Sequence, residues 1–176
     1  MLQRILSCCF CGKKSKTNTD DKNNTNVSDT DEDPTHTQYN DTIPFVPPIS
    51  SGEVIKVYDG DTITIASRLP YPESPLYRFN VRLNGIDAPE IKSKSKEEGI
   101  CAELAKQALT DLILHKTVIL KNQQTEKYGR LLADVHLENL HVNQWLLNNW
   151  YAVPYDGKTK KSPKSWANYK TKGTLF

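Results

Sequence analysis

Residues 12–43 contain almost no large apolar side chains, and that gap fixes where a core can form. They are rich in Asn, Asp, Thr, Ser and Lys, so burial cannot offset the entropy of ordering them, and they read as disordered. In a chain of 176 residues, this leaves room for one domain, built from the residues after Pro47-Pro48. The expected division is a cysteine-rich segment at 1–16, a disordered polar linker at 17–50 and a folded domain at 51–176. Asn23, Asn26 and Asn40 each open an Asn-x-Ser/Thr triplet. In so Asn- and Thr-rich a tract these arise by chance and carry no glycosylation argument.

The folded part reads as short strands with one inserted helix. Glu53 to Tyr58 and Thr62 to Ser67 are β-branched runs joined by Asp59-Gly60-Asp61, a hairpin pattern. Tyr77 to Leu83 alternates apolar residues with Arg78, Asn80 and Arg82, which marks a half-buried strand. Cys101, Leu104, Ala105, Ala108 and Leu112 form a stripe at helical spacing, predicting a helix of three to four turns with Glu97 and Glu98 just ahead of its positive end. Thr117 to Leu120 and Leu131 to Leu137 are two more strands. Val142 to Trp150 reads as a short helix with Trp145 and Leu146 inward. Ser162-Pro163 could open a last short helix that packs Trp166 and Tyr169 inward. Five strands with a helix before the fourth fit a small closed barrel better than a sandwich or a parallel sheet.

The net charge of +2 is unevenly spread: residues 1–50 hold 5 Lys/Arg against 7 Asp/Glu, leaving 18 against 14 for the rest. After Gly157 there are six lysines and no acid. Such a run draws polyanions, although a solvated tail has the same composition. At the other end, Cys8, Cys9 and Cys11 crowd beside Lys13, Lys14 and Lys16. This is not a disulfide framework, and zinc would need about four ligands where only the distant His36 could join the cysteines. Clustered cysteines next to a polybasic run suit S-acylation, which would hold the protein at the cytoplasmic face of a membrane. An unmodified tail with reduced thiols is equally open, and a lipoprotein signal ending at Cys8 is a weaker third reading. Leu2 excludes N-myristoylation, and no run reaches the roughly 18 apolar residues of a membrane span.

Three short elements carry chemistry. Asp59-Gly60-Asp61-Thr62 flanks a turn glycine with two carboxylates, which alone is an ordinary hairpin turn. Arg82-Leu-Asn-Gly-Ile-Asp87-Ala88-Pro89-Glu90 sets an arginine on a strand and two acids on a loop stiffened by Pro89. Read blandly, it is a surface ion pair worth at most about 1 kcal/mol. Glu126-Lys127-Tyr128-Gly129-Arg130 adds a second arginine just before a strand, with a plain glycine turn as its simplest explanation. Acids preorganised beside arginines suit a metal ion together with an anion.

In this order and spacing, the three elements resemble the thermonuclease (staphylococcal nuclease-like) family over roughly residues 52–156. The resemblance implies an α+β protein: a five-stranded OB-fold β-barrel with two to three flanking helices. It implies that Asp61, Asp87 and the carbonyl of Ala88 hold one Ca2+, that Arg82 and Arg130 grip the phosphate, and that Glu90 deprotonates or orients the attacking water. Lys127, Tyr128 and Tyr155 would lie beside the nucleotide. The implied activity is calcium-dependent hydrolysis of DNA and RNA with low sequence specificity, leaving 3′-phosphate ends, by a monomer. Ala88 departs from the hydroxyl residue often found there, which matters little if only its carbonyl binds. The segment after Tyr155 looks shorter than the long terminal helix of the bacterial prototype. The alternative is a catalytically inactive nuclease-like module that binds nucleic acid or protein, and it predicts loss of one or more of the five site residues.

Overall fold

A computed structural model describes residues 36–126 and 128–173. Cys8, Cys9, Cys11, Lys127 and most of the polar tract lie outside the described residues. Two units separate at Asp41. The described part of the first is a 3-10 turn, Tyr39–Asp41, in which the Gln38 amide donates to Asp41 Oδ2 at 2.8 Å. The second unit, from Thr42, carries all the strands and α-helices of the described residues.

Its strands are β1 (Ser51–Val57), β2 (Thr62–Arg68), β3 (Leu76–Leu83), β4 (Ile86–Asp87), β5 (Thr117–Thr125), β6 (Leu131–Leu137), β7 (Leu140–His141) and β8 (Val153–Pro154). Helix α1 spans Lys96–Ile113, α2 Val142–Asn148 and α3 Trp166–Lys172. The sheet runs β3-β2-β1-β5-β6-β7, and a parallel pairing of β3 with β6 closes it. Five long strands closed in this way, with α1 inserted between β3 and β5, form the expected OB-fold barrel with three helices. Register breaks between Val54 and Lys56 and between Lys121 and Gln124 bend the strands enough to close. Asn122, at the second break, adopts φ 50°, a left-handed conformation that Asn tolerates better than most residues.

Inward residues of these strands make the core, including Val54, Ile63, Ile65, Val81, Leu83, Val118 and Val135. Packing reaches back before Ser51: Ile49 is buried in this core, and its carbonyl accepts from Gln123 Nε2 at 2.6 Å. The Phe45 carbonyl likewise accepts from Thr125 Oγ1 at 2.6 Å. Residues 45–50 therefore extend the barrel edge at β1, where the sequence suggested the end of a linker.

The α1 stripe is rotated from the expected one. Cys101, Ala102, Ala105, Leu109 and Ile113 are buried, whereas Leu104 is exposed and Ala108 and Leu112 only half-buried. The helix is 18 residues long, and it approaches the barrel through alanines instead of through Leu104. Its acids are also placed differently, for Glu97 and Glu98 lie inside the first turn. Ser95 caps that turn by accepting from the Glu98 amide at 3.3 Å.

Helix α2 ends at Asn148, two residues before Trp150, with Leu146 buried and Trp145 half-buried. The cap of α3 is Ser165, not Ser162: its hydroxyl accepts from the Asn168 amide at 3.1 Å. Gly173 closes the helix at φ 66°. Seven residues cannot hold a helix alone; Trp166 and Tyr169 pack inward with Cys101 and Val153 to fix it. Among the described residues no helix is long and apolar enough to cross a membrane.

Candidate functional site

Topology gathers the three sequence elements at one end of the barrel. In the β2–β3 pairing Thr62 faces Arg82, which sets Asp61 beside the guanidinium. The Asp59–Asp61 turn joins β1 to β2, and Asp59 Oδ1 accepts the Asp61 amide at 3.1 Å. Gly60 is needed there for space: a Cβ would lie 2.8 Å from that of Ala88 and 2.9 Å from that of Ala105. Three small residues thus press the turn, the Asp87 loop and α1 together. The short strand β4 pairs with β8, Asp87 opposite Val153, and the Tyr155 amide donates to the Gly85 carbonyl at 3.0 Å.

Parallel pairing of β3 with β6 sets Arg82 opposite Leu132. Arg130, two residues earlier, shares that face. Its loop closes through the Glu126 amide donating to the Arg130 carbonyl at 3.0 Å and turns at Gly129, φ 77°. Arg130 Nε pairs with Glu126 Oε1. Both arginines line one cleft of about 820 Å³ with Asp87, Glu90, Tyr128 and Tyr155.

Inside this arrangement Arg82 is the hub. Nη1 donates to Asp61 Oδ1 at 2.7 Å, and Nη2 lies 3.3 Å from both Asp87 Oδ1 and the Ile86 carbonyl. The two aspartates are 4% and 6% exposed. Asp61 also accepts from Thr62 Oγ1 at 2.9 Å and from the Ala88 amide at 3.1 Å. Burial is the largest influence on Asp61, raising its pKa to about 6 even against the Arg82 charge that lowers it. On Arg82, desolvation opposes the charge, but the attraction of Asp61 and Asp87 outweighs it and the pKa is raised.

The other carboxylate stands apart. The Glu90 side chain is 65% exposed. Its backbone amide donates to Glu98 Oε1 at 3.1 Å, and Glu98 Oε2 takes the Ser93 hydroxyl at 2.6 Å, so the first turn of α1 holds the loop. Glu97 ties the same turn to α3, accepting from the Ser165 hydroxyl and the Ala167 amide; these bonds, the hydroxyl first, lower its pKa.

Of the expected substrate contacts, Tyr128 is 72% exposed at the cleft. Tyr155 lines the cleft too, but its ring lies under Arg82, centroid 5.9 Å from the guanidinium carbon. The ring thus lies both at the cleft and beside the arginine. Three further contributors are hidden in the sequence. Lys160 Nζ sits 3.0 Å from Asp87 Oδ2 and 3.2 Å from Glu90 Oε1; within the lysine run nothing distinguishes it from its neighbours. Glu98 reads only as a favourable helix charge, although Ser95-x-x-Glu98 is a capping-box pattern that could draw attention to it. Asn143 is buried, and joins the Asn84 carbonyl at 2.8 Å to the Val135 amide at 2.9 Å. No sequence pattern marks it.

The site can be tested for a cation. Asp87 Oδ2 is buried and takes no well-formed hydrogen bond, facing only the Lys160 ammonium. Oxygen donors of this kind fit a hard divalent ion. Among the described residues no three His, Cys, Asp or Glu side chains converge, and the ligand set that the resemblance implies, Asp61, Asp87 and the Ala88 carbonyl, would itself supply two carboxylates.

Fold and site together define an OB-fold barrel bearing an arginine–carboxylate cluster suited to a phosphate and a cation. The chain belongs to the staphylococcal nuclease homologue family, whose match spans residues 80–172, more than half of its length. That match takes in every proposed site residue of the folded domain except Asp61. Among similar proteins, the "Probable staphylococcal-like nuclease CAN2" of Oryza sativa subsp. japonica is 30% identical over 82 residues, 45% of this chain and 21% of that one. An "Uncharacterized endonuclease" of Escherichia coli O157:H7 is 30% identical over 106 residues, 60% and 61% of the two chains. The "Probable endonuclease LCL3" of Yarrowia lipolytica is 29% identical over 145 residues, 71% and 62%. The shared stretch thus spans between a fifth and three fifths of these relatives.

Proposed function

We propose that this protein is a calcium-dependent nuclease that hydrolyses phosphodiester bonds of DNA and RNA as a monomer, with little sequence specificity. The observation that carries the reading is the pair of arginines, Arg82 on β3 and Arg130 just ahead of the neighbouring parallel strand β6, lining one cleft with Asp87 and Glu90. Each guanidinium can donate paired hydrogen bonds to non-bridging phosphate oxygens, and these strengthen as charge grows in the transition state. A lysine presents a point charge and would replace neither. Glu90, exposed and facing the cleft, orients a water molecule toward phosphorus and takes its proton. Water adds to phosphorus as the P–O5′ bond breaks and the 5′ oxygen takes a proton from solvent, which gives 3′-phosphate and 5′-hydroxyl ends. Asp61, Asp87 and the Ala88 carbonyl would hold the cation, whose chemistry when bound would be to polarise the phosphoryl group and neutralise its charge. Contacts directed at phosphate rather than at base edges account for low specificity.

The family relationship and the relatives' names as nucleases and endonucleases support this reading. A non-catalytic binding module is less well supported, because all five site residues are present. Incubating the full chain with single-stranded DNA and with RNA should give cleavage that calcium restores after chelation; cutting that persists in excess chelator would remove the metal from the reading. The N-terminal cysteines add a separate proposal: acyl chains on Cys8, Cys9 and Cys11 hold the nuclease at the cytoplasmic face of a membrane. Changing all three to Ser should then move the protein from the membrane to the soluble fraction, and an unchanged distribution would refute the anchor.

A further inference from the structure

We propose that Lys160 is a tethered cation that competes with the divalent metal for Asp87 while held by Glu90, so that loading the site requires the loop between β8 and α3 to let go. The inference rests on the proposal that Asp61 and Asp87 hold a metal. Lys160 Nζ bridges the two carboxylates at 3.0 and 3.2 Å, one of them the Asp87 oxygen left without a well-formed hydrogen bond. The other Asp87 oxygen is already turned to Arg82. A metal ion using Asp87 Oδ2 must therefore take the oxygen that the ammonium now faces.

The loop is built to release. Between the Tyr155 amide, fixed on Gly85, and the Ser165 hydroxyl, fixed on Glu97, no residue belongs to a helix or strand. Its own hydrogen bonds are local: Lys158 N to Asp156 Oδ1 at 3.1 Å, and the Tyr155 hydroxyl to the Lys158 carbonyl at 3.4 Å. Gly157 supplies a left-handed turn, φ 81°. In the metal-free protein Lys160 offsets the carboxylate charge that Arg82 alone leaves uncompensated. With a divalent ion in place, that role ends and the ammonium is repelled. Beside Lys158 and Lys161, on a loop that lines the cleft, it then faces the path of a phosphate backbone.

Calcium titration of the full chain by calorimetry, at fixed pH and ionic strength, tests this. Lys160→Gln and Lys160→Met should bind calcium about tenfold more tightly than the wild type, whereas Lys160→Arg should stay close to it. Unchanged or weaker affinity in both neutral variants would overturn the competition, as would equal tightening in Lys160→Arg. Asp87→Asn separates the two readings. If the wild type binds calcium, Asp87→Asn does not, and Lys160→Gln matches the wild type, the metal site stands and only the role of Lys160 fails. If neither wild type nor Lys160→Gln binds calcium, both fail together.

Discussion

The two halves of the site are held by different physics. Asp61, Arg82 and Asp87 sit at one end of the barrel, nearly excluded from water, with Arg82 and Asp87 held in strand pairings and Asp61 directly before one. Glu90, Tyr128, Arg130 and Lys160 sit on loops, mostly exposed, and are positioned by charge pairs and by bonds to their backbones. A buried charge cluster gives fixed geometry but becomes costly when one partner is lost. Exposed pairs are worth little to stability and can exchange partners. The barrel half should therefore couple chemistry to folding, while the loop half should affect chemistry alone.

The largest effect expected is on Arg82. Arg82→Met leaves buried Asp61 without its cation and Asp87 with Lys160 alone, and should cost about 3–5 kcal/mol of unfolding free energy at pH 7, together with nearly all activity. Arg130→Met removes only a half-exposed pair with Glu126 and should cost less than about 1 kcal/mol. Urea denaturation of the two variants measures the difference directly; equal losses would mean that the halves are not distinct. Next in size is the chemical step. Arg130→Lys should cut kcat by roughly 10²–10³-fold with an unchanged urea midpoint, and near-normal turnover would take Arg130 out of the transition state.

A third prediction concerns pH and reaches only the buried half. The folded protein holds the Asp61 proton up to about pH 6, whereas the ordinary value is 3.8. Between these values Asp61 binds more protons in the folded than in the unfolded state, so the stability contributed by this group is fullest below pH 4 and is lost as pH rises toward 6. Without metal the fall from this group should be on the order of 3 kcal/mol. Asp61→Asn should flatten that part of the pH–stability curve, and an unchanged slope in the variant would assign the effect elsewhere.

The barrel half is the legible half. Its residues lie in strands or tight turns, where alternation and Gly/Pro chemistry mark position, so Arg82 and the Asp-Gly-Asp-Thr hairpin are visible and the closed barrel follows from five strands and one helix. Even there, the reason for Gly60 is hidden: it meets Ala88 and Ala105, from elements far away in sequence. The α1 stripe misleads for the same cause. Periodicity favours Leu104, but close approach through alanines turns the helix and leaves it outside. On the loop side, Lys160 pairs with residues 73 and 70 positions earlier, and no local pattern reports such a contact. Glu98 can be seen as a helix charge, but not as the anchor of the Glu90 loop.

The smallest effect expected falls on the seam between the halves, at Tyr155. Resemblance suggests a ring beside the nucleotide, whereas the structure sets it under the Arg82 guanidinium at 5.9 Å, the outer range of a cation–π contact. If it backs the arginine, Tyr155→Leu should remove about 0.5–1 kcal/mol of that support and lower kcat a few-fold while KM stays level. Tyr155→Phe keeps the ring and should behave like the wild type. A base-stacking role would instead raise KM in Tyr155→Leu, as should happen in Tyr128→Ala, where the exposed ring is placed for a base. Steady-state kinetics on one single-stranded substrate, with the three variants side by side, therefore decides to which half Tyr155 belongs.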